Sequence, residues 1–460
     1  MRILHAIHDF LPRHRAGSEL YAYELCRALA AEHDVTVLCA DFDPSRPHGR
    51  VDWRVHDGLP VVEVVNNWPA SSFEETYRPP LVNDRIGRVL HAVQPHVVHV
   101  HNLQNLSFDL PRLARARGAS VVATLHDYTL VCPSGGQRIH RAEQHLCDVI
   151  DTERCARCFP ESPVAAHIAW GRIAARAHAP RVLGRLWRRV RRYPRLTRRL
   201  QTTIRRQPPF RVTRQDIDRR LDAARAVFDD VDLFVAPSRS IGSEFERLGV
   251  EPQKIKVSDY GVVPLPRGER PHRTGPLRIG YVGTIVWHKG VHVLIDAVRG
   301  LSPSAYTLSV FGNPDTFADY SAALRARAAG LPVQFEGPFD RTNAADVYSQ
   351  IDVLVVPSLW LENSPLVVHE AFQAGIPVVG ARIGGIAELV ADGRTGLLFE
   401  PGSTPGLLAA LRDLVEHPER LRALSEHVRS MSRAKSIGED ALEWSAIYAN
   451  LAARRRGRPA

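Results

Sequence analysis

Several features that would assign the chain to other protein classes are missing from its 460 residues. No apolar run approaches the ~18 residues that a membrane-spanning helix needs, which argues against an integral membrane protein. The first residues, Arg2 to Phe10, have the pattern of a β-strand and lack the basic stretch and apolar region of a secretory signal. We therefore expect a cytoplasmic protein whose six cysteines are reduced thiols or metal ligands rather than disulfides.

Lysine is scarce, since only four of the 60 basic residues are lysines. Arginine supplies the rest of a net charge of +10, so the abundance of arginine by itself says little about function. Its distribution is more informative, because residues 172–220 contain 17 arginines and only two acids, Asp216 and Asp218. The excess positive charge is therefore concentrated in one segment.

Within this basic segment, apolar side chains recur at helical spacing and arginines occupy the remaining face. The apolar set is Val182, Leu183, Leu186, Trp187, Val190 and Tyr193. The pattern predicts a basic amphipathic helix that ends near Pro194. Two roles are compatible with it. Either the helix docks the protein on an anionic membrane surface, or its apolar side packs on the first domain and its arginines are solvated.

Short β-rich runs alternate with helical periodicity in both halves of the chain, which predicts an α/β protein with two Rossmann-like domains. We place the N-terminal domain at 1–262, with a cysteine-containing loop at 128–160 and a basic helical insert at 161–225. Proline and glycine are frequent in 263–276, the predicted linker. The C-terminal domain covers 277–435, and 436–460 is predicted to be a helix that packs back on the N-terminal domain.

The most informative stretch is 355–371, where a strand ends and a helix begins. Pro365 is tolerated at the first position of a helix and Ser364 is a good N-cap, so the helix is predicted to start at Pro365. The amides of Leu366 and Val367 would then point out of the carboxyl edge of the sheet. That arrangement suits a phosphate group.

Three charged residues surround this predicted phosphate site. Glu362 lies in the loop before the helix and Glu370 lies about a turn and a half into it. Carboxylates so near a phosphate would repel it, so both are predicted to accept hydrogen bonds from ribose and sugar hydroxyls. Lys289, in the loop 280–290, supplies a compact positive charge for a diphosphate, the alternative being a solvated lysine at a helix start. This loop has neither G-x-G-x-x-G spacing nor a P-loop signature, which argues against a dehydrogenase or an NTPase.

These stretches resemble the retaining glycosyltransferase family 4, also called glycosyltransferase group 1. The family hallmark is a pair of glutamates separated by seven residues, here Glu362 and Glu370, followed by a Gly-Gly turn and an acid, here Gly384, Gly385 and Glu388. The resemblance covers most of the chain except the basic insert. It implies the GT-B fold, in which two Rossmann-like domains face each other across a cleft.

The resemblance also implies an activity and roles for single residues. The enzyme would move a hexose from a UDP- or GDP-linked donor, with retention of configuration, to a hydroxyl of a glycan or a lipid-linked acceptor in cell-envelope or exopolysaccharide biosynthesis. Glu370 would hold the donor ribose and Glu362 the transferred sugar. Lys289 would bind the diphosphate together with the amides of Leu366 and Val367.

The N-terminal half has matching pieces. Residues 15–19, which include Gly17, resemble the glycine loop that covers the diphosphate, and His126 resembles a histidine that the family places in the cleft after a strand. His126, Lys289 and Glu362 are therefore the predicted catalytic residues. Thr284 stands where the family commonly has an arginine, so Lys289 must neutralise more of the diphosphate charge. No cofactor is expected in catalysis, because the helix N-terminus and Lys289 replace a divalent metal.

Two sets of potential metal ligands occur in the first half of the chain. Cys132, Cys147, Cys155 and Cys158 form a plausible four-sulfur set for a structural zinc, and unligated thiols are the alternative. His99 and His101 alternate at the end of a strand, so both face one side and a metal pair is conceivable. No third ligand for that pair is evident in the sequence nearby.

Other functions stay open at this point. Because Thr284 stands in place of an arginine, the predicted diphosphate site has less positive charge, which fits a catalytically weak or inactive GT-B protein that binds nucleotide sugars. A GT-B epimerase would use the same fold. A nucleic-acid-binding protein would explain the charge but not the convergence of Glu362, Lys289 and a helix start on one sheet edge. The predicted partners are a nucleotide-sugar donor, a glycan or polyprenyl-diphosphate-linked acceptor and an anionic membrane surface, with no nucleic acid. The enzyme would then be peripheral on the cytoplasmic face of the membrane.

Overall fold

The computed structural model describes residues 1–141, 143–176, 210–265, 275–339, 343–431 and 434–456. The chain divides into two compact units. The first consists of Met1–Pro237, Gly242–Gly261 and Ile437–Ala460, and the second consists of Ser238–Ile241 and Val262–Ser436. The boundary between Gly261 and Val262 lies next to the predicted linker, whose residues 266–274 are outside the described part of the chain.

The first unit is built on an eight-stranded sheet with a small hairpin beside it. Its strands are β1 Arg2–Ile7, β2 Asp34–Asp41, β3 Val51–His56, β4 Leu59–Val65, β5 Val97–Val100, β6 Ser120–Thr124, β7 Ile139–His140, β8 His145–Leu146, β9 Leu233–Ala236 and β10 Ile255–Val257. The large sheet has the order β10-β9-β6-β5-β1-β2-β4-β3, and β7 pairs with β8. All neighbours in the large sheet are parallel except the antiparallel pair β3 and β4.

Helices cover this sheet, as the alternating sequence pattern predicts. They are α1 Gly17–Leu29, α2 Pro80–Val93, α3 Leu110–Arg115, α4 Thr152–Cys158, α5 Pro163–Arg176, α6 Arg214–Asp230, α7 Arg239–Arg247 and, after the second unit, the last helix Ile437–Arg456. Local signals set several ends: a capping box joins Thr213 to Asp216 at the start of α6, and Gln94 ends α2 in the left-handed conformation at φ 46°.

The second unit is a six-stranded parallel sheet. Its strands are β11 Leu277–Val282, β12 Tyr306–Phe311, β13 Val333–Gly337, β14 Val353–Val356, β15 Val378–Ala381 and β16 Gly396–Phe399, in the order β13-β12-β11-β14-β15-β16. Its helices are α8 Val291–Val298, α9 Ala318–Arg327, α10 Ala344–Ser349, α11 Leu366–Gln373, α12 Gly384–Leu389, α13 Thr404–Glu416 and α14 Pro418–Ser430. The last helix of the chain, Ile437–Arg456, is therefore α15.

Both faces of the second sheet are buried, because alternate residues of each central strand enter different core clusters. Ile279 and Val353 belong to the cluster under α8 and α13, whereas Val282 and Leu354 belong to the cluster under α11. Strands buried on both faces read as continuous apolar runs, which is why β11 and β14 were predictable from sequence.

Helix α15 belongs to the first unit, where it packs against α1. The Tyr21 hydroxyl donates to Asp440 Oδ2 at 2.9 Å and accepts from the indole N–H of Trp444 at 3.1 Å. The predicted amphipathic helix of the basic insert falls within 177–209, outside the described residues. No helix in the described ranges combines the length and the apolar character needed to cross a membrane.

Candidate functional site

The strand order of the second unit creates a crevice at one edge of its sheet. Counted along the chain, the six strands are arranged 3-2-1-4-5-6, so the connections leaving β11 and β14 run to opposite sides. Ligands of open α/β sheets bind at such a switch point, outside the carboxyl ends of the strands. The loop 283–290 after β11 and the loop 357–365 after β14 meet there, and they carry Thr284, Lys289 and Glu362.

An ion pair joins these two loops. Lys289 Nζ lies 2.6 Å from Glu362 Oε1, and the Ser358 hydroxyl donates to the same oxygen at 2.6 Å. The Glu362 side chain is only 5% exposed, whereas that of Lys289 is 26% exposed. The ammonium therefore sits at the opening of the site, while the carboxylate lies beneath it.

Close backbone contacts fix the position of Lys289. Gly290 adopts φ 73°, and a Cβ there would lie 1.8 Å from the Pro357 carbonyl oxygen, so only glycine allows the two loops to touch. The Leu359 amide donates to the His288 carbonyl at 2.8 Å. Lys289 Nζ also lies 5.2 Å from the ring centroid of Trp360, a cation–π distance. Thr284 is exposed, and its side chain adds no positive charge to the site.

Helix α11 begins one residue later than predicted. Pro365 has extended backbone angles, φ −69° and ψ 118°, and Leu366 is the first helical residue. The prediction of Ser364 as the N-cap is wrong, since its hydroxyl contacts Nε2 of the buried His369 at 2.8 Å. The Val368 amide donates to the Pro365 carbonyl at 2.9 Å. The amides of Leu366 and Val367 precede it in the first turn, where helix N–H groups lack intrahelical acceptors.

Glu370 lies in the same helix, with 7% of the residue exposed. The Tyr348 hydroxyl donates to its Oε2 at 2.8 Å and so fixes the orientation of the carboxylate. Tyr348 is on α10 and was not among the residues predicted to matter. A single tyrosine in an amphipathic helix gives no sequence signal that it will reach a carboxylate on another helix.

The Gly-Gly turn of the sequence motif supports the Glu362 loop. The Gly385 amide donates to the Glu362 carbonyl at 2.7 Å. A Cβ at Gly385 would lie 1.6 Å from the Asn363 carbonyl oxygen, and one at Gly384 would lie 2.3 Å from the Glu362 carbonyl oxygen. Both glycines are therefore needed for the turn to pass beneath the loop.

The remaining predicted site residues, Gly17 and His126, belong to the first unit. Gly17 is the first residue of α1, and His126 follows β6. His126 is one member of a row of hydrogen-bonded rings. Its Nδ1 lies 2.7 Å from the Tyr260 hydroxyl and its Nε2 lies 2.9 Å from His101 Nδ1, while His101 Nε2 lies 3.0 Å from His5 Nδ1.

This row constrains protonation. Each link joins Nε2 of one ring to Nδ1 of the next, and a neutral imidazole has one donor and one acceptor, so His5, His101 and His126 must share one tautomer. Burial lowers the pKa of His5 and of His126 to about 3 and holds that of His101 well below its ordinary range. All three rings are therefore neutral near pH 7, and His126 has both nitrogens engaged.

His5 also supplies the third ring that the sequence did not reveal beside His99 and His101. Strand register pairs His5 with His99, and the three rings offer nitrogens within 4.8 Å of one another. His99 contacts the Tyr448 hydroxyl at 2.7 Å and the Thr124 hydroxyl at 2.8 Å. A cation here would have to break these bonds in a fully buried set without a carboxylate ligand, so hydrogen bonding explains the cluster better than metal binding.

The four predicted zinc ligands all lie in the cysteine-containing loop, which forms the hairpin β7–β8 and helix α4, but no three of their sulfur atoms lie within 4.8 Å of one another. Burial, and then the charge of neighbouring thiols, raises the pKa of Cys147 to about 11 and that of Cys155 to about 12. Cys132 and Cys158 are among these neighbours of both thiols. A second set that sequence reasoning missed, His140, Glu143 and His145, has ligand atoms within 4.8 Å in the hairpin.

Two family profiles match the parts of the chain that contain these residues. Residues 266–431 match the profile of the glycosyl transferases group 1, and residues 15–152 match that of glycosyltransferase family 4. The first match contains Lys289, Glu362 and Glu370. The second contains Gly17 and His126.

Individual relatives match over shorter lengths. A glycogen synthase of Mycobacterium tuberculosis is 34% identical over 174 residues, which are 36% of this chain and 41% of that protein. A D-inositol 3-phosphate glycosyltransferase 2 of Catenulispora acidiphila is 42% identical over 127 residues, which are 27% of this chain and 28% of that protein. The chain thus spans less than half the length of these curated relatives.

Solved structures match over nearly the whole chain. Anabaena Alr3699/HepE in complex with UDP and glucose has a TM-score of 0.64 at 16% identity and covers 98% of this chain and 99% of its own. A sucrose-phosphate synthase from Thermosynechococcus elongatus has a TM-score of 0.64 at 17% identity with the same coverage. Identities this low show the fold alone, which is GT-B. The two family profiles show that the chain belongs to the glycosyltransferases of group 1 and family 4.

Proposed function

We propose that the protein is a retaining glycosyltransferase that moves a sugar from a nucleotide diphosphate donor to a hydroxyl of a glycan or lipid-linked acceptor. The observation that carries the proposal is the pair formed by Lys289 and Glu362 at the sheet switch point, next to the first turn of α11. A cation, a helix N-terminus and two oriented carboxylates are the groups that a nucleotide diphosphate sugar requires.

Each donor group has a partner in this arrangement. The Lys289 ammonium has three N–H donors, so it can bind phosphate oxygens while it keeps Glu362. The amides of Leu366 and Val367 add donors to the same anion. Both hydrogen bonds to Glu362 reach Oε1, and no described residue donates to Oε2, which can accept a sugar hydroxyl. Glu370, oriented by Tyr348, accepts from the ribose hydroxyls.

The same groups would stabilise the transition state. When the glycosidic bond to the diphosphate breaks, negative charge develops on the leaving oxygen, and Lys289 and the helix amides would stabilise that charge. No side chain in the described residues of the second unit is placed as an obvious covalent nucleophile, since the two buried glutamates at the site already hold hydrogen-bonding roles. We therefore favour substitution on the front face, with the departing phosphate oxygen taking the proton of the acceptor hydroxyl.

The named relatives support a nucleotide-sugar donor without fixing which one. One solved neighbour was crystallised with UDP-glucose and another with ADP and acarbose. The curated relatives are named for compounds as different as glycogen and D-inositol 3-phosphate. An inactive nucleotide-sugar-binding protein is the second candidate, because Thr284 leaves Lys289 as the cation of the β11 loop.

Thermal unfolding with a panel of ligands tests the donor site. UDP, GDP and ADP and their sugars are compared, since a ligand at 100 times its dissociation constant adds about 2.7 kcal/mol to stability. We expect one nucleotide series to raise the melting temperature of the wild type and to lose that effect in Glu370→Ala. Glu416→Ala, at the exposed end of α13, is the matched control. If no nucleotide shifts the wild type, the proposed donor site is wrong.

The basic insert gives a second, separate proposal, which rests on sequence alone. We propose that the basic segment 172–220, whose 17 arginines include the buried Arg220, uses its other arginines to hold the enzyme on an anionic membrane surface beside a lipid-linked acceptor such as a polyprenyl diphosphate. Each basic group near such a surface gains about 1 kcal/mol. Co-sedimentation with anionic vesicles should be strong at low salt and weak at high salt, and neutral vesicles should bind little. Equal binding to both lipids, or binding that survives deletion of 177–209, would refute it.

A further inference from the structure

We propose that Cys132, Cys147, Cys155 and Cys158 bind one structural zinc ion as thiolates, and that the buried guanidinium of Arg220 balances the negative charge of this centre. Four thiolates around Zn²⁺ carry a net charge of −2, so a cation beside a buried tetrathiolate site stabilises it. The proposal is independent of the catalytic function.

Arg220 is the observation that points to a bound anion. The residue is 5% exposed, and its Nη atoms donate to the carbonyls of Leu130 at 2.9 Å and Thr129 at 2.6 Å. The guanidinium also lies 4.9 Å from the ring centroid of Phe108. Nowhere in the described ranges does a carboxylate come within 4.0 Å of it. Carbonyls and a ring satisfy its hydrogen bonds but supply no full negative charge, and a buried cation without one is costly.

The cysteines are the acidic groups that lie beside this cation. Cys132 and Arg220 line the same cavity, together with Pro133 and Phe159. Helix α4, which carries Cys155 and Cys158, packs against α6, which carries Arg220. The sulfur-bearing segments and the guanidinium are thus on facing sides of one small region.

One backbone contact suits a thiolate at Cys158. The Arg141 amide donates to Cys158 Sγ at 3.5 Å, and a hydrogen bond to sulfur stabilises its charged form. The Cys158 thiol in turn donates to the Ile139 carbonyl at 3.9 Å, a contact that zinc binding would replace. The amides of Cys132 and Cys147 are held by the carbonyls of Tyr128 and Arg138, each at 2.7 Å. The loop has a hairpin with two residues per strand and a short helix, so a metal would supply the cross-link that its small core does not.

Zinc binding would require the sulfur atoms to move closer together. Among the described residues, only the two sets that contain histidine have three ligand atoms within 4.8 Å of one another, and the four sulfur atoms do not meet this distance. Binding exchanges the thiol protons for zinc: each thiol that ligates releases one proton to solvent, so no oxidant or reductant is needed. The competing set of His140, Glu143 and His145 is less suited, since His140 Nδ1 already accepts from the Glu143 amide at 3.1 Å.

The test is zinc content and zinc retention of the full chain. Protein purified without chelators should hold about one zinc per chain, and the cobalt-substituted protein should show the absorption of a four-thiolate tetrahedral site. Cys158→Ser should lose the metal, while Cys26→Ala, a buried thiol on α1, should keep it. Arg220→Met should release zinc to a chelator at least about tenfold more readily, since its charge is part of the site. Arg219→Met, next to it but paired with Asp216, is the matched control.

The outcomes separate clearly. A wild-type chain that takes up no zinc or cobalt, and whose four thiols all react freely with a thiol reagent, overturns the metal site. Metal that is retained equally in Cys158→Ser shows a different ligand set and also overturns it. Equal chelator sensitivity of Arg220→Met and Arg219→Met overturns the charge-balancing role of Arg220. Where Cys158→Ser fails to fold, chelator treatment of the wild type still measures the metal and its effect on stability.

Discussion

Lys289 Nζ lies 2.6 Å from Glu362 Oε1, although the two residues are 73 positions apart in the chain. The contact joins the loops after β11 and β14, so it links the two sides of the sheet switch point. It also balances a carboxylate that is only 5% exposed. Binding of a diphosphate would therefore add negative charge to a cation that already has a partner, and the helix amides must offset the difference.

The first prediction concerns this pair. Lys289→Met should weaken donor binding at least about tenfold, because it removes the cation from the diphosphate. It should also lower the stability of the folded chain, since it leaves the Glu362 carboxylate buried without a countercharge. In the double variant Lys289→Met, Glu362→Gln, stability should recover in part while donor binding stays weak. Urea unfolding and calorimetric titration measure the two effects.

A double-mutant cycle of Lys289→Met and Glu362→Gln gives the interaction free energy between the two side chains. We expect about 1–2 kcal/mol, less than for a fully buried pair because the Lys289 side chain reaches solvent. Arg422→Met, at an exposed position on α14, is the control and should change neither quantity. Additive effects of the two substitutions would show that the ion pair contributes nothing to the folded state.

The second prediction tests how Glu370 is oriented. Tyr348→Phe removes the hydroxyl that donates to Glu370 Oε2 at 2.8 Å and keeps the ring in the core. Nucleotide affinity should fall severalfold, and the unfolding midpoint should fall little, because one neutral hydrogen bond contributes about 1 kcal/mol. Tyr306→Phe, a buried tyrosine on β12 whose hydroxyl has no partner in the described part of the chain, should leave affinity unchanged. Equal nucleotide affinity in both variants would show that the Tyr348 hydroxyl does not orient Glu370 for binding.

The third prediction concerns the turn beneath the site. Gly385→Ala would place a methyl group 1.6 Å from the Asn363 carbonyl oxygen, so the Glu362 loop must shift. We expect loss of donor binding and a destabilisation of at least about 2 kcal/mol, the cost of overpacking a tight contact. Gly438→Ala meets nothing within 4 Å and should behave as the wild type. Full donor affinity in Gly385→Ala would mean that the turn does not support the loop.

The fourth prediction is a pH dependence from the histidine row. Burial lowers the pKa of His5 from 6.5 to about 3, so between these values the unfolded chain binds more protons than the folded one. The stability from neutral His5 is complete above about pH 6.5 and is lost as the pH falls, at about 1.4 kcal/mol per pH unit. As the pH falls, the free energy of unfolding of the wild type should therefore decrease by about 1.4 kcal/mol per pH unit more than that of His5→Asn.

The wild type must be compared with a variant because other buried groups change the pH dependence of stability in the opposite direction. Burial raises the pKa of Asp9 to about 7 and also raises that of Asp127, and both favour the folded state in acid. Urea midpoints at pH 7.5, 6.5 and 5.5 measure the difference between the two proteins. Identical slopes for the wild type and His5→Asn would show that His5 titrates normally in the folded chain.

Much of the second unit could be predicted from sequence, and the reasons are local. The buried strands β11 and β14 read as apolar runs, and Pro365 located the start of α11 within one residue. The N-cap at Ser364 was predicted wrongly because its hydroxyl contacts the ring of His369, five residues further along in α11, and does not cap the helix. Propensity at helix ends yields to such contacts when the residue is buried.

The contacts that the sequence did not reveal join distant residues. Lys289 and Glu362 were each predicted to face the ligand, and nothing in their local sequence shows that they also bind one another. His5 was missed because only the register between β1 and β5 places it beside His99. The buried Arg220 was counted with the basic insert, whereas the structure places it under the rings of Phe108 and Tyr77.

The stereochemistry of sugar transfer can be measured on the purified protein. The purified protein is incubated with the sugar nucleotide that stabilises it and with a hydroxyl acceptor, and the anomeric configuration of the first product is followed by proton NMR. We expect the wild type to form a glycoside with the configuration of the donor, and Glu362→Gln to form it at least about a hundredfold more slowly. A product of inverted configuration, or equal transfer by Glu362→Gln, would contradict it.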